Sequence, residues 1–330
     1  MHCKFLDHGI SIAYDRVIKP CCAWNYDQIW SDKNQIADTD LSTFHNRKDI
    51  IEIKNQLSQN IWPITCKFCE KVESQSRVDS IRGSANSEYS NFTDQDITLE
   101  IRPGSVCNFA CQTCWPEASS RVAQYHHQAK LIDIKNLDSK SIDNFDFLLS
   151  VADRIKNITL LGGEPFYDKN CLKFLTWASK NLKANIILFT NGSQIDWDWV
   201  ENYKSKITMV FSIDAIGKPA EYIRYGTVWN NVLNNFLKAG QCKNVELRVN
   251  ITTSAYNYIY ISDVIKLLLQ NWPKVVSFGV PHQSMFLEHS VPSMHRTNII
   301  DSLRDCMKLI MQSKIESEQR DNAIYALRSI

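Results

Sequence analysis

Leu99-Glu-Ile-Arg-Pro-Gly-Ser-Val-Cys107-Asn-Phe-Ala-Cys111-Gln-Thr-Cys114-Trp115 carries three cysteines spaced C-x3-C-x2-C directly behind a strand-like run. A loop this tight aims its sulfurs inward, so the thiolates of Cys107, Cys111 and Cys114 can converge on one metal centre. A closed zinc site takes four ligands in a tetrahedron. A [4Fe–4S] cube has four irons, each ordinarily held by Cys. Three local cysteines leave one iron open to a ligand that is not protein, which is what an iron needs if it is to bind and reduce a substrate. On the cysteines alone, chance spacing and a zinc site with a remote fourth ligand stay open.

Outward from this loop, strand-like and helix-like runs alternate. The pattern predicts strands at Ile97–Ile101, Ile158–Leu161, Asn185–Thr190, Ile207–Ile213, Val245–Ile251 and Val275–Val280. It predicts helices over about Pro116–Lys130, Asn170–Leu182, Val228–Ala239 and Ile259–Leu269. Alternation at this spacing implies parallel βαβ units, whose chemistry gathers at the C-terminal ends of the strands. Polar, glycine-bearing sequence falls at those ends. Gly162-Gly163-Glu164 closes the second strand, where glycines let backbone approach a ligand closely, although Gly-Gly also makes plain turns. Asn191 sits in Thr190-Asn191-Gly192, a turn lining the mouth or Asn-Gly turn chemistry alone. Ser212 and Asp214 alternate at the end of the fourth strand and so can face one cavity. Arg224 follows in Glu221-Tyr-Ile-Arg-Tyr-Gly226. Arg248, Asn250 and Thr252 share one face of the fifth strand, either a pocket wall or a face meeting water.

Composition narrows the class. The 330 residues are 44% hydrophobic, enough for a sizeable core, and Lys+Arg 37 against Asp+Glu 36 leaves a net charge of +1. That balance argues against a general nucleic-acid or acidic-membrane binder. The start, Met1-His-Cys-Lys-Phe-Leu, lacks a basic region followed by an apolar run, and no stretch is apolar for the ~18 residues a membrane helix needs. A cytoplasmic protein is therefore expected, in which 11 Cys mean metal or catalysis more readily than disulfides.

Residues 1–94 read as an irregular cysteine-rich module. It holds Cys3, the pair Cys21-Cys22 and Cys66-x2-Cys69, with one helical pattern at about 47–57 that ends before Trp62-Pro63. Cys66 and Cys69 with two remote cysteines can make a four-thiolate site, for which zinc and iron–sulfur both fit. Polar Glu70 to Asn91 reads as a connector, with Arg77 or Arg82 at a substrate entrance as the sharper alternative. Cys171 is either a small core residue or a thiol hydrogen donor. His282 and His289 lie in a loop. The segment 291–330 is helix-like, with Leu303, Met307, Ile310 and Met311 as a packing stripe.

The C-x3-C-x2-C loop behind a first strand, followed one βα unit later by Gly162-Gly163-Glu164, resembles the radical S-adenosylmethionine (SAM) enzymes. The resemblance implies a partial (β/α)6, TIM-like barrel over 95–290. It implies a [4Fe–4S] cluster on Cys107, Cys111 and Cys114, with SAM on the open iron and across Gly162, Gly163, Glu164, Asn191, Ser212, Asp214 and Arg224. Thr113 departs from the pattern, which carries an aromatic residue before the last cysteine. Cys3, Cys21, Cys66 and Cys69 resemble, in order, the twitch module, the short form of the SPASM extension, and so imply an auxiliary [4Fe–4S] cluster. Here the module precedes the barrel, and Arg16 stands where the pattern has glycine. The activity implied is hydrogen abstraction from a peptide, or from a small polar metabolite such as an aminosugar, with an electron donor such as flavodoxin or ferredoxin. A zinc-binding adaptor without catalysis is the alternative from another class.

Overall fold

The computed structural model describes residues 1–74, 80–137, 140–271, 276–279 and 293–312. Its strands are β1 (Gly9–Ile12), β2 (Ile18–Lys19), β3 (Ile97–Ile101), β4 (Ala110–Cys111), β5 (Ile155–Leu160), β6 (Asn185–Thr190), β7 (Ile207–Ser212), β8 (Arg224–Tyr225), β9 (Val245–Thr252) and β10 (Val276–Gly279). All six strands expected from the sequence are present within a few residues, as β3, β5, β6, β7, β9 and β10. The chain divides into two compact units, Met1–Gly104 with Asp138–Leu161 and Asn170–Ile186, and Ser105–Leu137 with Gly162–Lys169 and Ile187–Ile330.

In the first unit β1, β3 and β5 run parallel, and β2 is antiparallel to β1. Ile10 stands opposite Leu99, and Leu99 opposite Ile158, a row that is buried throughout. Parallel strands covered on both faces need no polar alternation. This is why Gly9-Ile-Ser-Ile, buried at every position, did not stand out as a strand in a segment read as irregular. Helix Lys169–Asn181 buries Cys171, Phe174, Leu175 and Ala178, the spacing of one helical face. Cys171 is thus a core residue. Helix Lys48–Ser58 buries Ile50 and Leu57 and leaves Ile51 exposed. The stretch expected as a solvated connector instead forms helices Lys67–Ser74 and Ile81–Glu88. Ser80 caps the second by accepting from the Gly83 N–H at 3.0 Å. Arg77 lies outside the described residues.

In the second unit β7, β9 and β10 are parallel. Along β9 Val245, Leu247, Val249 and Ile251 are buried, while Glu246, Arg248, Asn250 and Thr252 are half-buried. This is the period-2 division of a strand with one apolar face. The helix expected from Pro116 begins later, at Ser120, because Ser119 is the residue that caps it by accepting from the Val122 N–H. Helix Ser293–Gln312 packs on helix Ile261–Asn271. Its buried residues include Cys306 and Ile310, whereas Met311, expected in the packing stripe, is 63% exposed. His282 and His289 lie outside the described residues. No helix among the described residues is long and apolar enough to cross a membrane.

Candidate active site

The three-cysteine loop lies in the second unit and is pinned at both ends. Val106 donates its backbone N–H to Asp168 at 2.8 Å, and Cys107 donates its own to the Ser120 hydroxyl at 3.2 Å. Ser119 donates to the Phe109 carbonyl at 3.0 Å. At the other end β4 pairs antiparallel with β8, which sets Cys111 opposite Arg224. The Cys114 N–H turns back to the Cys111 carbonyl at 3.1 Å. The Cys107 sulfur accepts from the Phe109 N–H at 3.4 Å and from the Asn191 amide at 3.9 Å.

Burial raises all three thiols, pushing Cys107 and Cys114 up to about 12, and the Arg224 guanidinium opposes that rise at each of them. Arg224 itself is pulled down by burial but held above its usual value by Cys111, Asp214 and Cys107. Its Nη1 donates to Asp214 at 2.8 Å, while its Nε is buried without a hydrogen-bond partner among the described residues. A cation fixed beside three thiols suits an anionic cluster better than a neutral pocket.

Gly162-Gly163-Glu164 meets this loop closely. The Glu164 N–H donates to the Val106 carbonyl at 3.0 Å. A Cβ on Gly163 would stand 2.3 Å from that carbonyl oxygen, so the approach requires glycine. The Glu164 side chain is fully buried and accepts from the Thr190 hydroxyl at 2.7 Å, the Asn191 N–H at 2.6 Å and the Phe166 N–H at 3.4 Å. Burial nevertheless lifts its carboxyl to about 7. Asn191 donates to Asn108 at 2.9 Å and accepts from the Ser193 N–H at 2.9 Å. Gly192, at φ +72°, completes the turn, so the Asn-Gly pair is both turn chemistry and a contact to the cysteine loop.

Asp214 is fully buried. One oxygen receives Arg224 and the other the Thr252 N–H at 2.7 Å. The structure therefore brings Cys107, Cys111, Cys114, Gly163, Glu164, Asn191, Asp214 and Arg224 into one bonded group. Ser212 is half-buried, in register with Asn250 on β9. Arg248 pairs with Glu246 at 2.6 Å. Beside the loop, a cavity of about 360 Å³ is lined by Cys111, Gln112, Cys114, Tyr125, His126 and Tyr225. Sequence reasoning missed Asp168, Ser119 and Ser120. Their signal is faint, a polar residue just past Gly-Gly-Glu and a serine pair at a helix start.

In the first unit Cys3, Cys21, Cys66 and Cys69 line one small cavity. Backbone N–H groups of Phe5 and Leu6 face the Cys3 sulfur, that of Ala23 faces Cys21, and that of Arg82 faces Cys69. Burial raises all four thiols, Cys3 to about 12. Cys22 is exposed, and its thiol neighbours Glu100 and Arg102. With Cys21 at the site Cys22 is expected in the core; the residue is instead exposed, while burial still pushes its thiol up to about 12. Arg82, an alternative candidate for a substrate entrance, lines this cavity and pairs with Glu73 at 2.6 Å. Arg16 has φ +62°, a conformation that favours the glycine the twitch pattern carries there.

Among the described residues, no three Cys, His, Asp or Glu side chains converge tightly enough to hold one metal ion. At each group the candidate donors are cysteine thiols, the ligand type that holds iron–sulfur clusters.

A family described as "4Fe-4S single cluster domain" matches residues 104–216, about a third of the chain, and that span holds Cys107, Cys111, Cys114, Gly162–Glu164, Asn191, Ser212 and Asp214. No curated protein matches the chain. Similar solved structures include native anSMEcpe with bound AdoMet, at 21% identity and TM-score 0.42 over 64% of this chain and 58% of that one. Streptococcus suis SuiB bound to precursor peptide SuiA is similar at 14% identity and TM-score 0.42, over 83% and 60%. TYW1 with a lysine-pyruvate adduct bound is similar at 16% and 0.42, over 81% and 90%. The chain thus spans under two thirds of the anSMEcpe and SuiB chains. What these comparisons establish is a similarity of residues 104–216 to a single-cluster 4Fe–4S domain.

Proposed function

We propose that the protein is a cytoplasmic radical SAM oxidoreductase. The observation that carries this reading is the group formed by Cys107, Cys111 and Cys114 with Gly163, Asn191 and Arg224, inside the span similar to a single-cluster 4Fe–4S domain. Bound there, a [4Fe–4S] cluster would supply the one electron, delivered by an external donor, for reductive cleavage of SAM and so for hydrogen abstraction from the substrate, and a second cluster would offer an acceptor for the substrate's remaining electron.

The chain's residues do the rest. Cys107, Cys111 and Cys114 hold three irons as thiolates. Asn191 donates to the Cys107 sulfur and orders the loop through Asn108. Arg224, fixed by Asp214, sets a positive charge beside the cluster and keeps a free Nε, a donor suited to a carboxylate such as that of SAM. Gly162 and Gly163 offer close backbone, and Glu164 holds that backbone in place. Ser212 borders the same strand ends. Cys3, Cys21, Cys66 and Cys69 hold the auxiliary cluster, within a cysteine-rich module (1–94), a partial (β/α)6 barrel (95–290) and a helical extension (291–330). The substrate is a peptide, the electron donor a flavodoxin or ferredoxin.

The test is anaerobic purification and reconstitution. Brown protein with about eight irons per chain, two cubes of four, that forms 5′-deoxyadenosine from SAM supports the reading. A colourless protein that leaves SAM intact rejects it. Deuterated candidate peptides, followed by label in 5′-deoxyadenosine, then identify the substrate.

A further inference from the structure

Trp24 lines the four-cysteine cavity and is 4% exposed. Its indole Nε1 is buried and has no hydrogen-bond partner among the described residues. Buried N–H groups are almost always paired, so one left over at a cavity points to an acceptor that these residues do not supply. The ring is held where it is. The Trp24 backbone N–H donates to the Cys21 carbonyl at 3.3 Å, and Trp30 packs against the ring at 5.0 Å. Main-chain N–H groups already face the Cys3, Cys21 and Cys69 sulfurs. Arg82 adds a cation at the cavity wall, although Glu73 offsets part of its charge.

We infer that the indole N–H of Trp24 is a hydrogen-bond donor to sulfur of an iron–sulfur cluster held by Cys3, Cys21, Cys66 and Cys69, and raises the potential of that cluster. The inference rests on reading this cavity as the auxiliary iron–sulfur site. A cube on four thiolates is anionic, and each added electron deepens its charge in a buried place. Donors aimed at its sulfurs stabilise the reduced state, so they raise the midpoint potential. A centre furnished in this way favours accepting an electron over delivering one.

The test uses the full chain as Cys107→Ala/Cys111→Ala/Cys114→Ala, in which the four-cysteine centre is the cluster site that remains. Loading of about four irons per chain upholds the underlying reading; a colourless, iron-free protein rejects that reading and the inference with it. In loaded protein, a redox titration followed by EPR is expected to give a lower midpoint potential when Trp24→Phe is added, at unchanged iron content. Trp24→His, which restores an N–H, is expected to recover part of the shift. An unchanged potential in loaded Trp24→Phe overturns the inference while leaving the site intact. If Trp24→Phe does not retain iron, indole-15N labelling of the parent decides. Coupling of that nitrogen to the reduced cluster upholds the assignment, and its absence overturns it.

Discussion

Glu164 accepts the backbone N–H of Asn191 at 2.6 Å from inside a fully buried site, tying the Gly-Gly-Glu loop to the turn that touches Cys107. Burial raises its carboxyl from 4.5 to about 7. The folded chain therefore keeps this proton through a range in which the unfolded chain has lost it. The stability contributed by this group is fully present below pH 4.5, is lost as pH rises toward 7, and changes no further above. The decline attributable to this group is about 3 kcal/mol, from 1.36 kcal/mol per unit. Denaturant melts of wild type and Glu164→Gln across pH 4.5–7.5 check this; an equal slope in both proteins refutes it.

Gly163→Ala is expected to disrupt the cysteine loop, since the new Cβ would press on the Val106 carbonyl at 2.3 Å and on the backbone of Ser105. Overpacking against backbone costs about 1–3 kcal/mol. The displaced loop should also load iron poorly at Cys107, Cys111 and Cys114. Normal melting together with normal iron content would contradict the close approach.

Cluster assembly should weaken in acid. Burial holds the Cys107 and Cys114 thiols up at about 12, so binding iron must displace their protons. Each displaced proton makes apparent affinity fall about tenfold per pH unit as pH drops. Iron retention against a chelator at pH 6.5, 7.5 and 8.5 measures it, and a pH-independent result is the contrary outcome.

Replacing Cys3, Cys21, Cys66 and Cys69 with Ala should remove about half of the ~8 irons expected of two cubes and leave 5′-deoxyadenosine formation in place. Cys22→Ala should keep full iron, because that thiol faces Glu100 and Arg102. Loss of iron in Cys22→Ala would reassign the ligand.

Arg16 adopts φ +62° and donates from its guanidinium to the Ser141 carbonyl. Arg16→Gly relieves a left-handed backbone cost of roughly 1–2 kcal/mol while losing that bond, so its stability should stay within about 1 kcal/mol of wild type. Arg16→Val keeps the strain, adds β-branching and should be the less stable of the two. Thermal melts giving the reverse order would exclude this account.

The sequence was most informative where chemistry is local. C-x3-C-x2-C, Gly162-Gly163-Glu164 and Asn191-Gly192 are short runs whose spacing constrains their own loops. The strands β6 and β7 announce themselves as largely apolar runs of ordinary length, and β3 and β9 by alternation of apolar with polar residues. β1 was not legible because four residues buried on both faces carry no period. The two helices after Lys67 were hidden by polar composition, since they bury little more than Cys69 and Ala85.

Linear order, then, was enough to single out the Cys107–Cys114 loop and the turns that end the strands, because ligand spacing and turn chemistry act over a few residues. Only the tertiary structure decided who faces whom across long gaps. Arg224 is paired with Asp214 and set opposite Cys111; Glu164 is occupied by Thr190 and Asn191; Trp24 and Arg82 stand at the four-cysteine cavity. Such partners are chosen by which buried donors and charges remain unsatisfied once the strands have assembled, and no spacing in the chain records that choice.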